Sequence, residues 1–248
     1  MAAGGDFARF VDPFIGTEGD GNCFPGACRP FGMVQASPDT GKKAHCSGYK
    51  FADETIRGFS QTHLNGTGRP AMGDVAILPM SGNGERGTGN GERGAGNGVA
   101  FVKSSEIAEP GYYAVTLEGG IKVEATATER VALWRFTWTE GAKRSLFVDA
   151  AAMLMQPWNQ KFGATVPWSE AALDEKKQSI RGGKTALGWT PYTLFYDIEF
   201  SESWDRVEKL PPDPFQGKGD RWVVEFGERS TPNSSDGSAN ASPSGKAG

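Results

Sequence analysis

Four short apolar runs follow one another through residues 111–117, 121–128, 131–139 and 145–150, each closed by a turn signal, and this succession constrains the fold more than any other feature. The runs are too short for ordinary helices, and Lys122-Val123-Glu124-Ala125-Thr126 alternates as a half-buried strand does. Gly119-Gly120 and Glu140-Gly141 supply the turns between them. The stretch reads as an antiparallel meander. Residues 194–200 and 222–226 add strands of the same kind, and a total of roughly eight to twelve suits two stacked sheets. With 35 Gly and 15 Pro punctuating 248 residues, a helix bundle is excluded and an all-β sandwich is expected. The 38% hydrophobic content is enough for a real core.

The first third is organised differently. Pro13, Gly16, Pro25, Pro30, Pro38 and Gly41 break any periodicity over residues 10–72, which read as long loops with short strands between. Loops of that length in a compact domain usually carry function. Asp74-Val75-Ala76-Ile77-Leu78-Pro79-Met80 is expected to be the first buried strand, ended by Pro79. Residues 82–98 hold a tandem Gly-Asn-Gly-Glu-Arg-Gly repeat with almost no apolar content, expected as a hairpin insertion. Residues 149–155 suit a short helix or a loop; residues 170–178 have helix composition, with a polar strand edge or loop equally open. A β-domain over residues 8–227 and a disordered Ser/Gly/Asn/Pro tail over 228–248 complete the organisation.

A net charge of −4 leaves no basic footprint for nucleic acid, and a neutral polar ligand fits better. No run of about 18 apolar residues exists to cross a membrane as a helix. Residues 1–7 lack a signal-peptide pattern, so the chain as written is expected in the cytosol. Cys23, Cys28 and Cys46 are odd in number, so at least one has no intramolecular partner. Their spacing, with only His45 and His63 available, does not build a zinc site, and no metal ligand is assigned.

No Gly-x-Ser-x-Gly elbow presents a serine nucleophile. Asp12, Asp20, Asp39, Asp53 and Asp74 lie where Asx turns and caps account for them, so no acid/base pair is assigned. Two blocks stand out instead. Residues 11–17 with 22–27, and Gly58-Phe59-Ser60-Gln61-Thr62-His63-Leu64-Asn65-Gly66-Thr67-Gly68, combine glycines, aromatics and hydrogen-bonding side chains. Such loops approach a polyhydroxylated ligand closely. Phe24, Tyr49, Phe51, Trp158, Trp168 and Trp189 are the loop-adjacent candidates for stacking on a sugar face, with core or turn packing open for each, whereas Trp134, Trp138, Phe147 and Trp222 fall in strand patterns and suit the core. His63 suits either a loop-ordering hydrogen bonder or a ligand contact. Asn65-Gly66-Thr67, Asn233-Ser234-Ser235 and Asn240-Ala241-Ser242 have the form of glycosylation acceptors and are read as unmodified.

Asp12-Pro13-Phe14-Ile15-Gly16-Thr17, Phe24-Pro25-Gly26-Ala27, Arg29-Pro30-Phe31-Gly32-Met33-Val34-Gln35, Ser37-Pro38-Asp39-Thr40, Ser47-Gly48-Tyr49, the block from Gly58 to Gly68 and Gly73-Asp74 together resemble the amino-terminal domain of glycoside hydrolase family 92. That family consists of calcium-dependent, inverting exo-α-mannosidases. The resemblance implies a galactose-mutarotase-like β-sandwich here and a separate (α/α)6 barrel that supplies the acid, the base and the calcium ligands. For this chain it implies no catalytic residue and no cofactor, a mannose-containing glycan and a helical catalytic domain as partners, and, since family members are often exported, export as an alternative to the cytosol. Asn22, Phe24, Phe51, His63, Gly66 and Gly68 are carried over as the sugar-facing residues, one wall of a mannose pocket. Gln61 and Asp20 stand where the family commonly has histidines, and Arg69-Pro70 where it has a small residue or cysteine.

Overall fold

The computed structural model describes residues 7–41, 45–69, 71–81, 98–154, 165–188, 190–212 and 219–227. The Gly-rich repeat over 82–97, Trp158, Trp189, Pro70 and the tail from 228 lie outside the described residues.

Fifteen strands and two 3-10 turns make up the described elements, with no α-helix among them. In chain order the strands are β1 (Ala27–Cys28), β2 (Gln35–Thr40), β3 (Thr55–Ser60), β4 (Ala76–Ser81), β5 (Val99–Ala100), β6 (Ile107–Glu109), β7 (Tyr112–Thr116), β8 (Lys122–Ala127), β9 (Ala132–Thr137), β10 (Arg144–Asp149), β11 (Thr165–Asp174), β12 (Ser179–Leu187), β13 (Tyr192–Glu199), β14 (Arg206–Leu210) and β15 (Arg221–Phe226). They form three antiparallel sheets: a main sheet in the order β1-β2-β3-β4-β10-β15-β14 with β5 added to β3, a meander β6-β7-β8-β9, and a distal sheet β11-β12-β13.

The main sheet is covered on both faces, and its alternation shows which residue meets which layer. Phe147 of β10 and Val223 of β15, directly opposite each other, join Phe59, Leu78, Val115 and Val123 in the core under the meander. Their neighbours Val148, Trp222 and Val224 point the other way, into a second core with Ile180 of the distal sheet. Burial on two faces explains the unbroken apolar runs of β10 and β15. The architecture is thus an antiparallel β-sandwich, with three sheets where the sequence pattern implied two.

Several expectations change for local reasons. The strand from Ala76 is the fourth, and it runs past Pro79 to Ser81. Beyond Ile77 it is paired with β10 alone, so a proline without N–H leaves no ladder donor missing on the other side. Pro38 sits in β2 on the same terms, because β1 pairs only as far as Ala36. The run over 145–150 does not continue the meander; it crosses to the middle of the main sheet. Glu170 to Asp174 are strand, their apolar side Ala171 packed into the second core, and residues 175–178 are turn. After Asp149 the chain turns without forming a helix.

Candidate functional site

The two glycine-rich blocks fold into one unit at the end of β2 and β3. Asp12 caps the first as an Asx turn, its Oδ1 accepting from Phe14 N–H at 2.9 Å, and Gly16 in left-handed conformation (φ 81°) returns the chain so that Cys23 N–H reaches Gly16 O at 3.1 Å. The blocks are then stitched together. Gly66 N–H donates to Asn22 O at 2.8 Å, and Phe24 N–H donates to Asn65 Oδ1 at 3.1 Å. Asn22 reaches the required geometry with its own backbone at φ 51°, a conformation asparagine tolerates better than most residues. Its side-chain amide donates to Asp20 O at 3.0 Å.

His63 lies beneath this seam with its imidazole wholly enclosed. Nδ1–H donates to the Gln35 carbonyl at 2.7 Å, and Nε2 meets Asp39 Oδ1 and Ser60 Oγ, each at 3.1 Å. The ring therefore orders the loop, the first of its two sequence readings. In this structure it offers no surface to a sugar, because every polar ring atom is taken and the Phe24 ring covers it at 5.3 Å between centroids. Phe24 is itself buried, whereas Leu64, Asn65, Gly66 and Gly68 are exposed on the outer side of the loop. Gln61 bridges layers: Nε2 donates to Val75 O at 3.1 Å and Oε1 accepts from Trp134 Nε1 at 2.8 Å.

Phe51 stands apart from that seam and is tied to it through the first block, by Phe51 N–H to Thr17 O at 3.1 Å and by an edge contact with Phe14 at 5.6 Å. Lys103 Nζ lies 3.9 Å from the centre of the Phe51 ring and 2.6 Å from Glu106 Oε2, and it also donates to Tyr49 OH at 2.8 Å. One face of Phe51 is thus occupied by a cation. The Glu106 side chain is enclosed and also accepts from Tyr49 and from Tyr113, the latter at 2.6 Å. Burial first, and then the Glu106 carboxylate, raises both phenols far above their ordinary range.

Two of the aspartates read as turn residues are buried partners instead. Asp39 faces His63. Asp74 meets Lys184 Nζ at 2.5 Å, with the side chains 1% and 0% exposed. Asp74 also accepts from Thr62 Oγ1 at 2.5 Å and from Tyr192 OH at 2.9 Å, and Lys184 donates to the Ala151 and Ala152 carbonyls. Burial, then Asp74, drives the Tyr192 phenol well upward. Because Gly73 N–H donates to Thr62 O and Gln61 N–H to Asp74 O, at 2.8 and 2.9 Å, the ends of the His63 loop are clamped together and anchored to the distal sheet. Lys184 was not singled out from sequence, yet its position shares the inward parity of Ile180 and Ala186, which is the signal that marks it. Trp168 lies on the outer face of the distal sheet, edge-on to Phe195 at 6.1 Å and away from the seam. Among the described residues no three His, Cys, Asp or Glu side chains converge as a metal-holding group would.

The sequence profile of the glycosyl hydrolase family 92 N-terminal domain matches residues 10–237. The chain belongs to family 92. An uncharacterized secreted glycosidase of Arthroderma benhamiae is 35% identical over 207 residues, which is 79% of this chain and 26% of that protein. Among solved structures, the family 92 α-mannosidase BT3965 of Bacteroides thetaiotaomicron superposes with a TM-score of 0.74 at 29% identity, over 90% of this chain and 31% of the enzyme. The same enzyme with mannoimidazole bound gives 0.74 at 30%. The inverting mannosidase BT2199 of that organism gives 0.69 at 25%, over 92% of this chain and 30% of the enzyme. The family 92 domain thus spans under a third of the length of these relatives. None of its described helices is long and apolar enough to cross a membrane.

Proposed function

We propose that this family 92 domain forms one wall of an α-mannoside pocket and recognises a mannose-containing glycan without hydrolysing it alone. The observation that carries the reading is the seam itself: two loops distant in sequence are joined by Gly66 N–H to Asn22 O and by Phe24 N–H to Asn65 Oδ1. The clamp at Thr62 and Asp74 holds exposed Asn65, Gly66 and Gly68 in place above enclosed His63. Preorganised exposed amides and side-chain polar groups are what sugar hydroxyls require. Inversion needs an acid and a base on opposite sides of the glycosidic bond, worth orders of magnitude in rate. The sequence assigns this chain no such pair, and the two buried carboxylates beneath the seam are committed, Asp39 to His63 and Asp74 to Lys184.

Saturation-transfer NMR of the chain with methyl α-mannoside tests recognition. Weak binding that is lost in Asn65→Ala is expected, and the absence of any transfer refutes the reading. Mannose release above a heat-killed control, measured with added calcium, would overturn its non-catalytic part.

A further inference from the structure

Asn22 and Asn65 are the asparagines among the described residues, and of the two only Asn65 is followed by glycine. In an Asn-Gly step the glycine nitrogen, unshielded by a Cβ, can attack the side-chain carbonyl carbon; ammonia leaves, and water opens the succinimide to aspartate or isoaspartate. An amide carbonyl is a weak electrophile and a backbone N–H a weak nucleophile, so the rate depends on what holds each group. Here the seam acts on both, in opposite senses. Phe24 N–H donates to Asn65 Oδ1 at 3.1 Å, which draws electron density from the carbon to be attacked. Gly66 N–H donates to Asn22 O at 2.8 Å, which keeps on the nitrogen the proton it has to lose. One bond readies the electrophile while the other withholds the nucleophile. Asn65 and Gly66 are both exposed to water, and at Gly66 nothing lies within 4 Å of where a Cβ would stand. The withholding bond depends on Asn22, which presents its carbonyl from a backbone at φ 51°. Because Thr62 and Asp74 clamp the base of the loop, its tip can lift without the base parting.

We propose that Asn65 is a site of spontaneous deamidation and that the Gly66–Asn22 hydrogen bond is its guard, so that the reaction proceeds from the lifted loop tip. The bond from Gly66 N to Asn65 Cγ forms as the Asn65 Cγ–Nδ2 bond breaks, and the Gly66 proton leaves with the ammonia. Water, the only co-reactant, then adds across one of the two imide carbonyls. The product places a carboxylate, or an isoaspartyl linkage with one more backbone carbon, on the exposed rim of the seam. The inference does not rest on the chain binding sugar, and none of its readouts involves one.

The purified chain is aged at mildly alkaline pH, folded and in concentrated urea, with peptide mapping by mass spectrometry and isoaspartate measured with isoaspartyl methyltransferase. In urea Asn65 should react alongside Asn83, Asn90 and Asn97, which also precede glycine and calibrate the unguarded rate. In the folded chain Asn65 should react at least about tenfold more slowly, because local opening has to break the seam first. Asn22→Val, a β-branched residue that resists φ 51°, displaces the Asn22 carbonyl and should raise the folded-state rate severalfold, whereas Asn22→Gly accepts that backbone and should not. A folded-state rate equal to that in urea overturns the inference, as does equal acceleration by the two variants. Aspartate without isoaspartate also overturns it, since that product comes from direct hydrolysis. If Asn22→Val does not fold, the ratio of folded to urea rates in the wild-type chain, with its isoaspartate content, decides by itself.

Discussion

Replacing Lys184 with methionine tests whether the buried pair with Asp74 is a keystone of the domain. At 2.5 Å and an effective dielectric of about 20, the gross attraction is about 6–7 kcal/mol, against which each ion has lost several kcal/mol of hydration. The intact pair therefore contributes little net stability. Lys184→Met leaves the Asp74 carboxylate enclosed, with hydrogen bonds from Thr62 and Tyr192 but no cation, at an expected cost of about 3–5 kcal/mol. For a chain of this size that is about 6–20 °C in melting temperature. The double variant Asp74→Asn with Lys184→Met removes both charges and should recover at least about 2 kcal/mol of the loss. Urea unfolding followed by tryptophan fluorescence measures all three proteins, with an unchanged denaturant slope as the check on two-state behaviour. A single variant within about 1 kcal/mol of wild type, or a double variant no more stable than the single, refutes the argument that the pair is dry and coupled.

Two further outcomes follow from the same geometry. Gly73 and Gly66 both have left-handed backbones, at φ 77° and 70°, but a Cβ on Gly73 falls 2.5 Å from Leu154 Cγ whereas one on Gly66 meets nothing within 4 Å. Gly73→Ala should therefore cost about 2 kcal/mol or more beyond the roughly 1 kcal/mol conformational penalty shared with Gly66→Ala, as read by the same unfolding curves. On the outer face of the meander, hydrogen bonds from Arg135, then Tyr112 and Lys122, hold the Glu124 carboxyl down to about 2. A carboxylate depressed in the folded state stabilises above its unfolded pKa of about 4.3 and loses that contribution as pH falls toward the folded value. The melting-temperature gap between wild type and Glu124→Gln should be full at pH 6 and close as pH falls toward 2; a gap that stays constant refutes the assignment.

The sheets were legible wherever apolar residues alternated or ran unbroken between glycine turns, as in β7 to β10 and β15. What hid β2, and ended β4 too early at Pro79, was proline, whose cost depends on whether a neighbouring strand needs the missing N–H, a fact of pairing and not of sequence. β11 was ambiguous because Glu170-Ala171-Ala172-Leu173 has helix propensity that pairing with β12 overrides. At the candidate site, the sequence placed Asn22, Phe24, His63 and Gly66 in two blocks, and the structure joins those blocks. It did not separate residues that face outward from those that hold the loop from beneath. His63 and Gly66 carry the same loop signature, and only burial distinguishes them. Lys184 is 122 residues from Thr62 in sequence, and no local pattern announces that they share a carboxylate.

The order of the main sheet has a consequence for how the chain is made. β10 lies between β4 and β15, and β15 is the last strand described. During synthesis β10 emerges some seventy residues before the partner that covers its far edge. Until residues 221–226 leave the ribosome, its Leu146-Phe147-Val148 run presents an open, apolar edge, the form most prone to pairing with the wrong strand. Whatever guards this nascent chain must therefore act on its middle, and must stay until nearly the whole domain has been translated.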